Sequence, residues 1–83
     1  MMPDGLSFKA FPNPANDVVN VQLKGGSREG TVVLYNTAGL KLFEKNIGSE
    51  KISIDLKDLS PGIYLVELKS RDGLVVEKVV RGE

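Results

Sequence analysis

Apolar residues alternate with polar ones along almost the whole chain, and this period of two limits the fold to extended strands. The clearest stretch is Lys51–Leu56, in which every second residue is isoleucine or leucine. Val19–Lys24 alternates valine or leucine with polar residues in the same way. No window shows the 3.6-residue period of an amphipathic helix. The sequence therefore predicts an all-β protein.

Turn-forming residues divide this alternating pattern into short segments. We expect Gly39 to take the left-handed conformation in a tight hairpin, and Asp72-Gly73 is typical of a two-residue hairpin turn. Segments of this length, with turns about every eight to twelve residues, predict a seven-stranded antiparallel β-sandwich of immunoglobulin-like type. We place the strands at about residues 6–11, 18–24, 31–36, 40–46, 51–56, 62–70 and 74–81.

Two further features predict how the sheets are assembled. Thr31–Asn36 and Leu74–Arg81 carry apolar residues on both faces, so we expect both strands to be central in their sheets. Leu59, Gly62 and Tyr64 surround a Pro-Gly turn where the sixth strand begins. A tyrosine at such a corner returns its hydroxyl to the upstream backbone while its ring enters the core. We therefore expect these three residues to be structural.

The composition excludes several classes of function. The chain has 83 residues and contains neither cysteine nor histidine, which excludes disulfides, zinc sites built on these residues, and catalysis by imidazole. Lys and Arg number 11, as do Asp and Glu, whereas a nucleic-acid binder usually has a basic excess. The apolar runs are too short to cross a membrane. We expect one domain at residues 6–83, preceded by a linker remnant or expression scar at residues 1–5.

The polar residues indicate little chemistry. The carboxylates are scattered over turns and strand faces, so no pair is set up for acid–base catalysis. We predict no enzyme activity, no catalytic residue, no metal site and no cofactor. Asn13, Asn16 and Asp17 could supply oxygen ligands to calcium, although their spacing does not fit an EF-hand loop. Side chains of this kind more often cap the turn that contains them.

Two segments are candidates for recognition by a partner. Pro12–Asp17, here called the corner, contains two prolines that fix the backbone, so it forms a stiff bend. Lys78–Arg81, here called the tail, places two valines between two basic residues. The charges of the tail either blunt the edge of a terminal strand, or the tail is an extended segment with which a partner pairs by β-augmentation.

The order of these motifs resembles that of a known family. Phe11–Asp17 comes first, Leu34–Gly39 second, Ile54–Tyr64 third and Lys78–Arg81 last. Over about residues 6–81, this order and spacing closely resemble the type A C-terminal sorting domain of the type IX (Por) secretion system of Bacteroidetes. The family pattern ends within the last strand, so Gly82-Glu83 is either native or a cloning scar.

This resemblance implies a function that composition does not show. Such a domain directs the cargo that precedes it in the same chain from the periplasm across the outer membrane, to the cell surface or the medium. A sortase-like peptidase then removes the domain, which is a substrate of the machinery and not a catalyst. It binds no nucleic acid and does not insert into a membrane.

The resemblance also implies which residues matter. Gly39, Leu59, Gly62 and Tyr64 match the family pattern, and we expect structural roles for them. By analogy, the expected recognition residues are Pro12, Asn13, Pro14 and Asp17 in the corner and Lys78, Val79, Val80 and Arg81 in the tail.

One alternative fits part of the sequence nearly as well. Residues 59–64 are also typical of an accessory β-sandwich of fibronectin-III type. In that case the chain would be a spacer or a carbohydrate-binding unit of an extracellular enzyme.

Overall fold

The computed structural model describes residues 7–24, 29–71 and 73–82, which form seven strands and no helix. The predicted linker remnant at residues 1–5, Leu6, Asp72 of the predicted turn and Glu83 lie outside the described residues. The all-β prediction is confirmed, and so is the number of strands. The strands are β1 (Ser7–Phe11), β2 (Val18–Lys24), β3 (Gly30–Asn36), β4 (Lys41–Asn46), β5 (Lys51–Asp55), β6 (Gly62–Ser70) and β7 (Gly73–Arg81).

The strands form two antiparallel sheets. One sheet has the order β1-β2-β5 and the other has the order β4-β3-β6-β7. The alternating apolar residues of both sheets face each other and make a single core, as the period of two requires. Within the described residues no helix is long and apolar enough to span a membrane. The largest side chains that are fully buried in the core are Leu34, Ile54, Leu56, Leu68, Val19, Val21, Val32, Val66 and Val79.

The two strands with apolar residues on both faces have different positions. β3 lies between β4 and β6, as predicted, and its outward-facing Val33 is buried. The prediction that the last strand is central is wrong, because β6 is the one described strand with which β7 pairs, and β7 forms an edge of its sheet. In the part of the chain that the structure describes, nothing covers the outer face of β7. Leu74 and Val76 on that face are consequently about half exposed, at 54% and 46%.

The turns place the four residues for which structural roles were expected. Gly39 has a φ of +86° in the β3–β4 hairpin, where a side chain would be strained. Gly62 begins β6 opposite Arg81, and Leu59 packs partly buried against the core. The Tyr64 ring is buried and its hydroxyl donates to the main-chain carbonyl of Ser60, four residues upstream. This is the hydrogen bond that the sequence leads one to expect at the start of β6.

β4 forms the other edge of the four-stranded sheet and is irregular. Its register with β3 shifts between Leu34 and Tyr35. The Lys41 ammonium donates to the Glu44 carboxylate at 3.0 Å, and this contact raises the pKa of Lys41. A bulge and charged side chains are common ways to prevent an edge strand from pairing with another chain.

Candidate recognition site where the corner meets the tail

The corner lies along the outer edge of β7, although the two segments are at opposite ends of the sequence. The Ala15 main-chain N–H donates to the Val80 carbonyl at 2.7 Å, and the Gly82 N–H donates to the Ala15 carbonyl at 2.7 Å. These bonds form a parallel bridge between Ala15 and Arg81. Ala15 is fully buried there. The corner therefore acts as a very short additional strand beside the end of β7.

Asn13 extends this contact with its side chain. Its Nδ2 donates to the Lys78 carbonyl at 3.2 Å, and its Oδ1 accepts from the Val80 N–H at 3.0 Å. The amide thus supplies one donor and one acceptor to the edge of β7, as the main chain of a neighbouring strand would. The expectation that Asn13 caps its own turn is wrong. The flanking prolines have no main-chain N–H to donate. The Asn13 side-chain amide instead bonds to the main chain of Lys78 and Val80, far along the chain.

The end of the corner is tied to the loop after β5. The Leu56 N–H donates to the Asp17 carbonyl at 2.7 Å. The Leu56 carbonyl in turn accepts from Arg81 Nε at 2.9 Å. Both main-chain groups of Leu56 therefore connect the corner and the tail to the three-stranded side of the sandwich.

The Arg81 side chain is turned into this junction. Only 11% of it is exposed, and its Nη1 donates to the Gly82 carbonyl at 2.6 Å. Its Nη2 lies 3.8 Å from Asp17 Oδ1, a long ion pair with a mostly exposed carboxylate that contributes little to stability. The planar guanidinium suits several acceptors held at fixed angles. Two Arg81 donors, on Nε and Nη1, are thus used within the molecule.

The structure separates the eight predicted recognition residues by exposure. Val79 is fully buried in the core and Arg81 is nearly buried, so neither presents its side chain to a partner. Val80 is partly buried. The five exposed residues are Pro12, Asn13, Pro14, Asp17 and Lys78.

The chemistry available at this surface is that of binding. It offers proline rings, an amide, one exposed carboxylate and one exposed ammonium on a backbone fixed by hydrogen bonds. Both X–Pro peptide bonds of the corner are cis. Across residues 7–24, 29–71 and 73–82, no three His, Cys, Asp or Glu side chains are grouped as metal ligands.

Sequence reasoning missed three residues that build the junction: Ala15, Leu56 and Gly82. All three make their hydrogen bonds through main-chain groups, which leave no signal in the side-chain pattern. Ala15 does carry a signal, since it is the one small apolar residue between the polar and proline residues of the corner. A small buried side chain allows another backbone to approach closely.

These features define a class: a small two-sheet β domain in which a proline-rich corner and the last strand form one hydrogen-bonded surface. The sequence matches the family described as the secretion system C-terminal sorting domain over residues 9–81. The chain therefore belongs to this family, and the resemblance seen in the motifs is confirmed. A comparison with curated protein sequences found no match.

Membership of the family gives the function in outline. The domain is a C-terminal sorting signal for type IX secretion, a system of Bacteroidetes. It interacts with that secretion system, and its cargo lies N-terminal to it in the same chain. The protein that carries it is secreted by way of the cell surface. The alternative of an accessory spacer or carbohydrate-binding module receives no support from the comparisons.

Proposed function

We propose that the type IX machinery recognises the domain through a single surface, formed by the corner and the tail together. One observation carries this proposal. Three hydrogen bonds join the two segments: Asn13 donates to Lys78 and accepts from Val80, and Ala15 donates to Val80. A fourth bond, from the Gly82 N–H to the Ala15 carbonyl, follows directly after the tail. Both segments were selected from the sequence for separate reasons. Their adjacency supports one composite surface over two independent ones.

Within this surface, the exposed residues are proposed to contact the machinery. They are Pro12, Asn13, Pro14, Asp17 and Lys78. Val79 and Arg81 are proposed to act from inside, because Val79 anchors β7 in the core and Arg81 ties the end of β7 to the loop at Leu56. A partner would then recognise a rigid backbone conformation together with one negative charge, on Asp17, and one positive charge, on Lys78.

We also propose that the domain is a substrate and not an enzyme, and that a sortase-like peptidase removes it after translocation. The support is the family itself, together with a sequence that lacks histidine and cysteine. Without these residues, imidazole and thiolate catalysis are impossible in this chain.

We infer further that the sandwich is immunoglobulin-like. The strand orders support this, because β1-β2-β5 correspond to strands A, B and E and β3-β6-β7 to C, F and G of that fold. The fourth strand pairs with β3 and not with β5. The bond from Tyr64 to Ser60 corresponds to the tyrosine corner of such domains.

The test uses residues 1–83 fused to a folded periplasmic reporter in a host with type IX secretion. We expect the reporter to reach the surface or the medium. Lys78→Glu reverses the one exposed basic charge of the corner–tail surface, and we expect it to lower export severalfold. Lys45→Glu, at an exposed lysine of the opposite edge strand, is the matched control and should be exported like the parent.

The outcomes separate the parts of the proposal. A parent fusion that stays in the periplasm while native cargo is exported would contradict the sorting role. Equal export of the parent, Lys78→Glu and Lys45→Glu would contradict the proposed surface alone. Mass spectrometry of the exported reporter should show that residues 7–82 are missing, and an intact domain would exclude the peptidase step.

A further inference from the structure

The outer edge of β7 is only half covered. Lys78, Val80 and Gly82 direct main-chain groups away from β6, and the corner pairs with these groups. β7 pairs with β6 over nine residues without a register shift, so by alternation Leu74 and Val76 direct their N–H and C=O groups to the same side. Among the described residues, no hydrogen bond reaches these groups of Leu74 and Val76. Within residues 7–24, 29–71 and 73–82, the N-terminal half of β7 is therefore an open edge.

The side chains beside this open edge are apolar and basic. Leu74 and Val76 share the outer face of the sheet with Ile63, which is 47% exposed. Lys69 is opposite Leu74 and Lys78 is opposite Leu65 on the same face. Within the described residues, neither lysine has an ion-pair partner. Of the residues that the structure describes on this part of the face, Glu67 carries the one carboxylate, and it accepts from the Tyr35 hydroxyl.

The other edge of the same sheet is protected in the usual way. β4 is six residues long, its register with β3 is irregular, and Lys41 and Glu44 form an ion pair on it. β7 is nine residues long and regular. A long regular edge with exposed apolar side chains is a site at which another strand adds readily.

We propose that residues 74–77 of β7 bind an extended, acidic segment of a partner protein, which adds to the four-stranded sheet as a fifth strand. Main-chain hydrogen bonds to Leu74 and Val76 would supply the pairing. Acidic side chains of the added strand would lie near Lys69 and Lys78, and apolar ones would cover Leu74, Val76 and Ile63. The corner limits the length of the added strand, because it occupies the edge from Lys78 onward. This inference rests on the proposed function, since the partner belongs to the secretion machinery.

A second copy of the chain fits this edge less well. Two β7 strands paired antiparallel around Val76 would overlap for only about five residues before each met the corner of the other. Such pairing would also place Lys78 of the second copy opposite Leu74, on the same face as Lys69 of the first copy, and gathering like charges on one face is unfavourable. The basic face therefore favours an acidic partner.

Val76→Pro tests the main-chain pairing in the reporter fusion. The Val76 N–H points away from β6, so proline there removes an outward donor without removing a β6–β7 hydrogen bond. We expect this variant to fold, as judged by its melting temperature, and to be exported about tenfold less, because a hydrogen bond is lost and the ring obstructs an added strand. Val76→Thr, which has the same shape and retains the N–H, is the matched comparison and should lose much less export than Val76→Pro.

A second variant tests the charges and decides the matter if Val76→Pro does not fold. The double variant Lys69→Glu, Lys78→Glu should reduce export more than Lys78→Glu alone. The control pair Lys9→Glu, Lys51→Glu, on the outer face of the other sheet, should not reduce export. If Val76→Pro folds and is exported normally, the inference is overturned and the sorting role stays intact. The same holds if adding Lys69→Glu lowers export no more than the control pair does. A parent that is not exported would overturn both. If the parent sediments as a dimer and Val76→Pro as a monomer, the strand that occupies this edge is a second copy of the chain and not an acidic partner.

Discussion

At the scale of single residues, Tyr64 and Asn13 differ in how far their hydrogen bonds reach along the chain. The Tyr64 hydroxyl bonds to Ser60, only four residues away. The Asn13 amide bonds to main-chain groups 65 and 67 residues away. A local bond of this kind follows from a local motif, so it can be predicted from sequence. No local motif specifies which distant backbone an exposed amide will meet.

We expect Tyr64→Phe to lower the free energy of unfolding by about 1 kcal/mol, because one partly buried hydrogen bond is lost. The cost stays near this value, since Ser60 is exposed and water can reach its freed carbonyl. Urea unfolding measures the change. Tyr35→Phe, which loses a 3.3 Å bond to Glu67 on the outer face, is the control and should cost less. An unchanged urea midpoint for Tyr64→Phe would show that the bond does not stabilise the corner.

At the scale of elements, Arg81 joins the end of β7 to the loop after β5 and to the corner. Its Nε and Nη1 each donate to a main-chain carbonyl, those of Leu56 and Gly82. A lysine ammonium at this depth cannot reach both carbonyls with the geometry of a guanidinium. The guanidinium of Arg81 thus holds the end of β7 to the loop after β5.

We expect Arg81→Lys to lower the free energy of unfolding by about 1–2 kcal/mol, because charge-assisted hydrogen bonds are lost in a nearly buried site. Thermal or urea unfolding measures this. The control is Arg71→Lys, since the Arg71 side chain is 71% exposed in a surface ion pair with Glu29, and it should change stability by less than about 0.5 kcal/mol. Equal effects of the two substitutions would mean that Arg81 is not a structural link.

The alternation of apolar and polar residues determines how much of the strand arrangement could be predicted from the sequence. A period of two reports which face of a strand is apolar, so the seven strands and the core positions such as Ile52 and Ile54 followed from it. It does not report whether a second layer covers that face. For this reason Leu74–Arg81 was expected to be central, although it forms an edge. The pairing of the corner with β7 left only the small size of Ala15 as a sequence signal, because Ala15 and Gly82 contribute main-chain groups.

At the scale of the whole molecule, the last strand, β7, stabilises the fold through a buried side chain and through its contacts with the corner. Val79 is fully buried between the sheets, and the tail supplies the groups that bind the corner. A domain of this size has a thin core, and its total stability is only about 5–15 kcal/mol. Removing the tail therefore removes core packing and the junction together.

We expect deletion of residues 78–83 to unfold the domain or to reduce its stability by several kcal/mol. Circular dichroism melting and the dispersion of amide resonances measure the loss of structure. Lys78→Ala, which leaves Val79 and Arg81 in place, is the control and should stay folded. A cooperative melt for the truncated chain would contradict this expectation. Loss of export after truncation alone therefore cannot identify recognition residues, which is why the export tests rely on point substitutions.

The parallel bridge between Ala15 and Arg81 has a mechanical consequence. β1 and β7 both run toward the corner, so the start of β1, on the cargo side, and the end of β7 lie at opposite ends of the sandwich. A force that pulls the cargo one way while the tail is held acts along the strands. It loads their hydrogen bonds in shear, so that many must break at once instead of one after another. We therefore expect the domain to resist unfolding when it is pulled in this direction.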